Sequence, residues 1–355
     1  MRLSRLLPAA AVLALVGCDG SDPAPRSCAL YDTCDIEQPL RLTPLNVQAE
    51  PPANVEVLFQ VQTATREPIS GLALEAFSIF EDGEPISRFE ASATIQPRSE
   101  QFRSATVLLL DFSRSIVDSG NLPVLQDAAA SFVRELLPPT SDPDYGEAEV
   151  AVYGFDGSET IGLIVPFSFN ADEVVLAIEN ASADDFIDGS STNLNGAVVA
   201  GIGVVQDEVD RLAGDVRIAV GSLVTFTDGT DTAGRVSLSR ATSAVSTASS
   251  EQVRGVNVFN AFTIGLGGEV DETALEQLGP ALSVQANNTA ELEARFREIA
   301  ARVEAEANSF YVLEYCSPKR AGTHTLGIRV AARGSAGFLE ERFDASRFTT
   351  GCRVD

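Results

Sequence analysis

Between residues 104 and 306 the chain alternates unbroken apolar strings with apolar side chains that recur every third or fourth position. SATVLLLDF (104–112) is a string of strand length. After it Leu125, Ala129, Phe132 and Leu136 fall at helical spacing, and Pro138 with Pro139 predicts the stop. AEVAVYGF (148–155) and TIGLIVPF (160–167) predict two strands joined across DGSE, a hairpin signal. Leu194, Val198, Gly201, Val205, Val209 and Leu212 draw one face of a long helix. LVTFTDG (223–229) predicts a strand ending in an acid, and VNVFNAFTIGLG (256–267) another buried strand. A last helix opens at Asn288, with Glu291 placed to reach back as in a capping box, and turns Leu292, Phe296, Ile299 and Val303 inward. Strands apolar on both faces and separated by helices predict an α/β fold, a doubly wound and mainly parallel sheet covered on both sides. In such sheets ligands bind beyond the carboxyl ends of the strands, where Asp111 and Asp228 both fall.

The flanks have a different period. VEVLFQVQT (55–63) alternates apolar and polar residues, and FSIFEDGEPIS (77–87) carries a hairpin turn at Asp82 and Gly83. FYVLEYCSP (310–318), HTLGIRVAA (324–332) and FLEERFDA (338–345) predict three more strands. Neither flank alone has enough strands for a stable sandwich. Both ends are therefore expected to combine into one small β-sandwich with the α/β unit inserted in it; a pair of separate β-extensions is the alternative.

Charge narrows the partners. A formal net charge of -26, spread along the 355 residues, opposes any nucleic-acid backbone and adsorption to anionic lipid. Membrane attachment is instead expected at the N-terminus. Arg2 and Arg5 precede the apolar LLPAAAVLALVG (6–17), a signal-peptide pattern too short to span a bilayer. It ends in LVGC (15–18), which resembles the lipobox of bacterial lipoproteins. That resemblance implies cleavage after residue 17, acyl chains such as palmitate on Cys18, and a lipid anchor in a membrane of the cell envelope, facing the periplasm or the exterior. An ordinary secreted protein is the rival reading. DGSDPAPRS (19–27) opens a polar, Pro-rich tether that runs to residue 44.

Five cysteines fit this reading. With Cys18 lipidated, Cys28 and Cys34 form a local disulfide pair, and Cys316 with Cys352 clamps a C-terminal tail, RFTTGCRVD, that has few apolar groups to hold it. Zinc is disfavoured, since there is no CxxC and only one histidine.

The acids and hydroxyls at the strand ends form a pattern. Asp111, Ser113 and Ser115 make DxSxS; SSTNL (190–194) supplies Thr192 just before a helix; TFTDGTD (225–231) supplies Asp228 at a strand end. Together, over roughly residues 103 to 306, these resemble the von Willebrand factor A domain and its metal-ion-dependent adhesion site. The resemblance implies that Ser113 and Ser115 hold a divalent cation through their hydroxyls, Thr192 directly or through water, and Asp111 and Asp228 largely through bound waters. Mg²⁺ is the expected ion, with Mn²⁺ or Ca²⁺ the alternatives. Mg²⁺ takes six oxygens in tight octahedral geometry at ~2.0–2.1 Å, and neutral hydroxyls hold it without quenching its charge. The implied partner is a protein ligand presenting an acidic side chain.

Other polar residues carry less. Phe112 is expected to pack under its loop and Arg114 to lie in solvent. Asp184, Asp185 and Asp188 form a solvated acidic loop or hold a second, calcium-like ion; Asp142 and Asp144 belong to a turn. An enzyme is not expected. A Ser-His-Asp triad needs a base, and the sole histidine, His324, sits on a flanking strand with Leu326, Ile328 and Val330. No GxSxG, P-loop or dinucleotide motif stands where its chemistry would need it. The expected organisation is a signal peptide at 1–17, lipidated Cys18 and tether at 18–44, a β-flank at 45–102, the A domain at 103–306 and a second β-flank at 307–355. The expected function is a lipid-anchored extracytoplasmic binding protein that engages a protein through its cation. An envelope scaffold with a purely structural metal comes second, and a metal-assisted hydrolase last.

Overall fold

A computed structural model describes residues 39–87, 89, 91–95, 102–186, 191–250 and 256–352. The signal sequence, Cys18, Cys28, Cys34 and Asp188 lie outside the described residues. Five strands come first: β1 (Arg41–Glu50), β2 (Asn54–Gln62), β3 (Phe77–Glu81), β4 (Glu84–Ile86) and β5 (Thr94–Ile95). Then follow β6 (Phe102–Asp111), α1 (Arg114–Asp118), α2 (Leu122–Leu136), β7 (Ala148–Phe155), β8 (Gly162–Ser168), α3 (Ala171–Asn180), α4 (Leu194–Leu212) and β9 (Ile218–Thr227). After them come α5 (Leu238–Ser250), β10 (Val256–Leu266), α6 (Glu272–Leu278), β11 (Leu282–Ala286) and α7 (Thr289–Ala307). The chain ends in β12 (Phe310–Cys316), β13 (Thr323–Ala332) and β14 (Ser335–Asp344).

Two-sided burial explains why the middle strands read as unbroken apolar strings. The six-stranded sheet runs β11-β10-β9-β6-β7-β8, parallel except for β8, which returns antiparallel to β7. In the centre, every residue of β9 is buried. Alternate residues of β6 feed opposite cores: Leu108 and Leu110 meet Phe132 of α2 and Phe296 of α7, while Val107 and Leu109 meet Val198 and Val205 of α4. This is the doubly wound α/β architecture expected from the pattern. Asn288 caps α7 by accepting the Ala290 N–H, but the Glu291 carboxylate takes the N–H of Asn287, one residue outside the expected box.

The two ends of the chain pair as expected. One antiparallel sheet runs β1-β2-β12-β5 and the other β14-β13-β3-β4, so each contains strands from both flanks. Val55, Val57, Phe59 and Val61 of β2 face Phe77, Ile79, Leu326 and Ile328 across the sandwich. The turn between β3 and β4 has positive φ at Asp82 (50°) and Gly83 (83°), the geometry that a two-residue hairpin loop requires. Leu58 breaks the alternation of β2 because the outer face of that sheet is also covered. Leu58, Phe310 and Val312 pack against Phe102, Ile218 and Val220 at the base of the α/β unit. Gln60 donates to Ser309 Oγ at 2.9 Å, and Arg302 of α7 pairs with Glu67.

Cys316 and Cys352 are bridged, with Cα atoms 5.8 Å apart. The tail is better held than its composition suggests. Phe348 is buried and stacks on Phe343, and the Thr349 N–H donates to the Pro52 carbonyl at 2.6 Å. Strand β1 begins at Arg41, inside the stretch read as tether. Helices α3, α5 and α6 and strand β11 also lie where no element was expected. Among the described residues no helix is long and apolar enough to cross a membrane.

Candidate metal centre

Strands β6 and β9 are parallel neighbours, with Leu110 opposite Phe226, so their carboxyl ends bring Asp111 beside Thr227 and Asp228. Asp111 has no exposed surface. Its Oδ1 accepts the Ser113 N–H at 2.8 Å and its Oδ2 the Thr227 hydroxyl at 2.7 Å. The first bond folds the chain back after β6 and stands both serines at the sheet edge. Ser113 Oγ lies 3.0 Å from Ser115 Oγ, and the Ser115 hydroxyl donates to Asp228 Oδ1 at 2.7 Å. Ser113 is buried, whereas Ser115 is exposed and Asp228 half-buried, so the row opens to the outside.

Thr192 reaches the same edge through its backbone. Its N–H donates to Thr232 Oγ1 at 2.8 Å, and its carbonyl accepts the N–H groups of Thr232 and Ala233, both at 3.0 Å. The loop before α4 is thereby fastened to the loop that follows Asp228. Asn193 fixes its other side, donating its N–H to the Asp156 carbonyl and its Nδ2 to the Ser158 carbonyl, both at 2.7 Å.

Four of the five residues singled out by sequence, Asp111, Ser113, Ser115 and Asp228, thus form one hydrogen-bonded chain, and Thr192 sits on the adjoining loop. Thr227, Thr232 and Asp231 were missed. Asp231 accepts the N–H groups of Asn195 and Gly234, each at 2.8 Å, and so holds the start of α4 against the Asp228 loop. Beside it a cleft of about 190 Å³ opens between Leu194, Thr230, Asp231, Asp271 and Leu275.

Burial pushes the Asp111 carboxyl up to about 6, against the Thr227 and Ser113 hydrogen bonds that favour the anion; the neighbouring Asp228 charge adds to the rise. Burial also raises Asp228, with Glu269 adding to it and the Ser115 hydroxyl opposing it. A nearby positive charge favours both anions.

The donor set fits a small hard cation. Among the described residues no three His, Cys, Asp or Glu side chains are grouped to hold a metal. The set is instead hydroxyl-rich with two carboxylates, all oxygen, as Mg²⁺ prefers. Bond lengths of ~2.0–2.1 Å put neighbouring corners of a Mg²⁺ octahedron ~2.9 Å apart. The Ser113–Ser115 oxygen separation of 3.0 Å is close to that edge length.

The remaining candidates take other roles. Phe112 is buried under its loop, stacked 4.3 Å from Phe186, and Arg114 is exposed. Asp184 is exposed, and Asp142 caps a turn by accepting the Asp144 N–H at 2.9 Å. His324 lies on β13 in the sandwich, its ring bonded to Asp82 at 2.8 Å and to the Ala321 carbonyl at 2.7 Å.

No family model matches the sequence, and no curated protein does. Solved structures share parts of it. Proximal thread matrix protein 1 from the mussel byssus is 16% identical over 57% of this chain and 48% of its own, with a TM-score of 0.43. The vWF domain of the type V pili tip protein Mfa5 from Porphyromonas gingivalis is 10% identical over 57% of this chain and 96% of its own, at 0.41. The manganese-loaded TRAP protein of Plasmodium vivax is 12% identical over 71% of this chain and 97% of its own, at 0.43. This chain therefore spans about half the length of the byssus protein.

Proposed function

We propose that this chain is a lipid-anchored, extracytoplasmic binding protein of the von Willebrand factor A type that engages a protein partner through a divalent cation, with Mg²⁺ the preferred ion. One observation carries the reading. Ser113, Ser115 and Asp228 stand in contact at the open carboxyl edge of the parallel sheet, above a buried Asp111 that orients them. A bound divalent cation would supply a positive charge with a coordination position left for a partner's carboxylate. Ser113, Ser115 and Thr192 would hold it with neutral hydroxyls. Asp111, with both oxygens engaged by Ser113 and Thr227, acts by fixing the loop.

A binding role is preferred over hydrolysis because His324 is bound to Asp82 in the sandwich and gives Ser113 no base. The anchor rests on the LVGC sequence and its acyl acceptor Cys18.

The test is calorimetry with Mg²⁺ and Mn²⁺, followed by crosslinking in intact cells with and without chelator. One main site should appear in the wild type and vanish in Asp111→Ala and Asp228→Ala, and a captured partner should be lost on chelation. Equal metal binding in all three proteins overturns the site. A partner captured equally with chelator present overturns its use in adhesion and leaves a structural metal.

A further inference from the structure

We propose that Phe186 is a positioning residue for the metal centre, a ring that locks the Ser113–Ser115 loop and the Thr192 loop at a fixed separation; this rests on the metal reading above. Gly154 of β7 and Gly162 of β8 are direct partners across the hairpin, which leaves a patch of sheet without side chains. Phe186 fills it. A Cβ at Gly162 would stand 2.6 Å from the Phe186 ring, and one at Gly154 would overlap that ring and lie 2.9 Å from Phe112. Paired glycines cost a strand packing and β preference, and a close approach by another group accounts for their presence.

The Phe186 ring also stacks on Phe112, centroids 4.3 Å apart and planes at 24°. Phe112 immediately precedes Ser113, and its own N–H is held by the Phe155 carbonyl at 2.8 Å. Phe186 therefore touches the element that aims the serine hydroxyls. It also stands six residues before Thr192. The Thr192 side of that segment is pinned to the end of the same hairpin by Asn193 on the Asp156 and Ser158 carbonyls, and Ser191 packs on Gly157, where a Cβ would collide with it. One hairpin thus carries both anchors of the Thr192 segment and the ring that sets the DxSxS loop. A shift of Phe186 would carry Phe112 and the DxSxS loop with it, relative to a Thr192 loop that Asn193 and Ser191 hold to the hairpin end.

The whole chain is compared as wild type, Phe186→Ala, Gly162→Ala and Phe186→Leu. Mg²⁺ affinity is read by calorimetry, and amide exchange of the metal-free protein is read over 112–118 and 191–196. Phe186→Ala and Gly162→Ala should each weaken Mg²⁺ about 10–100-fold, the usual cost of removing a group that orients metal ligands, and should speed exchange in both loops. Phe186→Leu, which keeps an apolar group in the slot, should recover most of both. Wild-type affinity and exchange in Phe186→Ala overturn the proposal; if that variant does not fold, the same result in Gly162→Ala does so. Should the wild type take no Mg²⁺, the metal reading falls and the lock is judged by exchange alone: faster exchange in both loops upholds it, and unchanged exchange removes it.

Discussion

Asp111 and Glu81 are each a carboxyl at the end of a strand, 0% and 1% exposed, and burial raises the pKa of both from its ordinary value. Their surroundings differ. Glu81 ends β3 inside the antiparallel sandwich, where the Tyr315 hydroxyl donates to it at 2.9 Å from within the same core. Asp111 ends β6 at the edge of a parallel sheet, and its partners Ser113 and Thr227 lead outward to Ser115 and Asp228. In a parallel sheet all strands deliver their carboxyl ends to one edge, so loops far apart in sequence converge there. An antiparallel sheet sends alternate strands the other way and closes each end with short hairpins. A buried acid marks a site only where its neighbours lead out to solvent.

Removing the carboxyl at each place gives the widest separation. Asp111→Ala should abolish Mg²⁺ binding and also destabilise the fold, since a buried donor left without its acceptor costs about 1–3 kcal/mol. Glu81→Gln should leave metal affinity at the wild-type value. Calorimetry and thermal melting of both variants decide it, and a metal defect in Glu81→Gln would erase the distinction drawn here.

The bridge between Cys316 and Cys352 closes a loop with a sequence separation of 36, worth roughly 3–4 kcal/mol in the chain-entropy model. Replacing both by serine should lower the melting temperature of the sandwich and leave any Mg²⁺ affinity at the wild-type value. Phe348 in the core and the Thr349–Pro52 hydrogen bond should keep the tail docked at low temperature. Near-native amide exchange in β13 and β14 with a lowered melting temperature is the expected pair of readings.

Thr227→Val keeps the shape and deletes one hydroxyl. It should cost about 1–3 kcal/mol by stripping a buried acceptor of its donor. It should also weaken Mg²⁺ about tenfold by freeing Asp111. Urea midpoints and calorimetry read the two effects.

The smallest effect belongs to His324. Burial pulls its pKa down, but the Asp82 hydrogen bond, the Ala321 carbonyl and the Asp82 charge outweigh that and hold it above the usual histidine value. A raised folded-state value means that its stabilisation is fully present below the unfolded pKa and is lost as pH rises through the folded one. The sandwich should therefore lose well under about 1 kcal/mol on going from mildly acidic to mildly alkaline pH, as befits a partly exposed pair. His324→Gln should flatten this difference for the sandwich in urea titrations at the two pH values and leave unchanged the α/β unit's own pH dependence, to which Asp111 contributes.

What could be read from sequence follows the same division. Strands β6, β9 and β10 were legible because burial on both faces writes a mostly apolar string, and α4 because Leu194, Val198, Val205, Val209 and Leu212 repeat along its buried face. Helix α5 was not, since its buried face is only Ala241, Val245 and Ala248 among serines and threonines. The first four residues of β1, Arg41 to Pro44, were read as tether because Pro44 and a register shift between Pro44 and Asn46 hide the alternation there. At the site, Asp111, Ser113, Ser115 and Asp228 are chemically conspicuous at strand ends. Thr227 reads as one more residue of a buried strand. Its hydroxyl matters only because β9 lies beside β6, a neighbour that chain order does not announce. Phe186 matters only because two glycines face each other across a hairpin.

The position of β12 between β2 and β5 governs how the molecule is made. Synthesis delivers β1 to β5 first and then residues 102 to 307, before β12 exists. Through that interval β2 has β1 on one side and an open edge on the other, with Val57 and Phe59 still lacking Leu326 and Ile328 of the opposing sheet. The α/β unit, whose strands and helices arrive in consecutive order, is complete first. It presents Phe102, Ile218 and Val220 as the surface on which the last strands assemble. A chain released before Cys352 leaves the sandwich without its clamp, and one released before Phe310 leaves β2 as an unpaired apolar edge. Such edges are the surfaces that chaperones hold and proteases clear. The insertion of one unit inside the other thus makes closure of the sandwich a report that synthesis has passed Cys352.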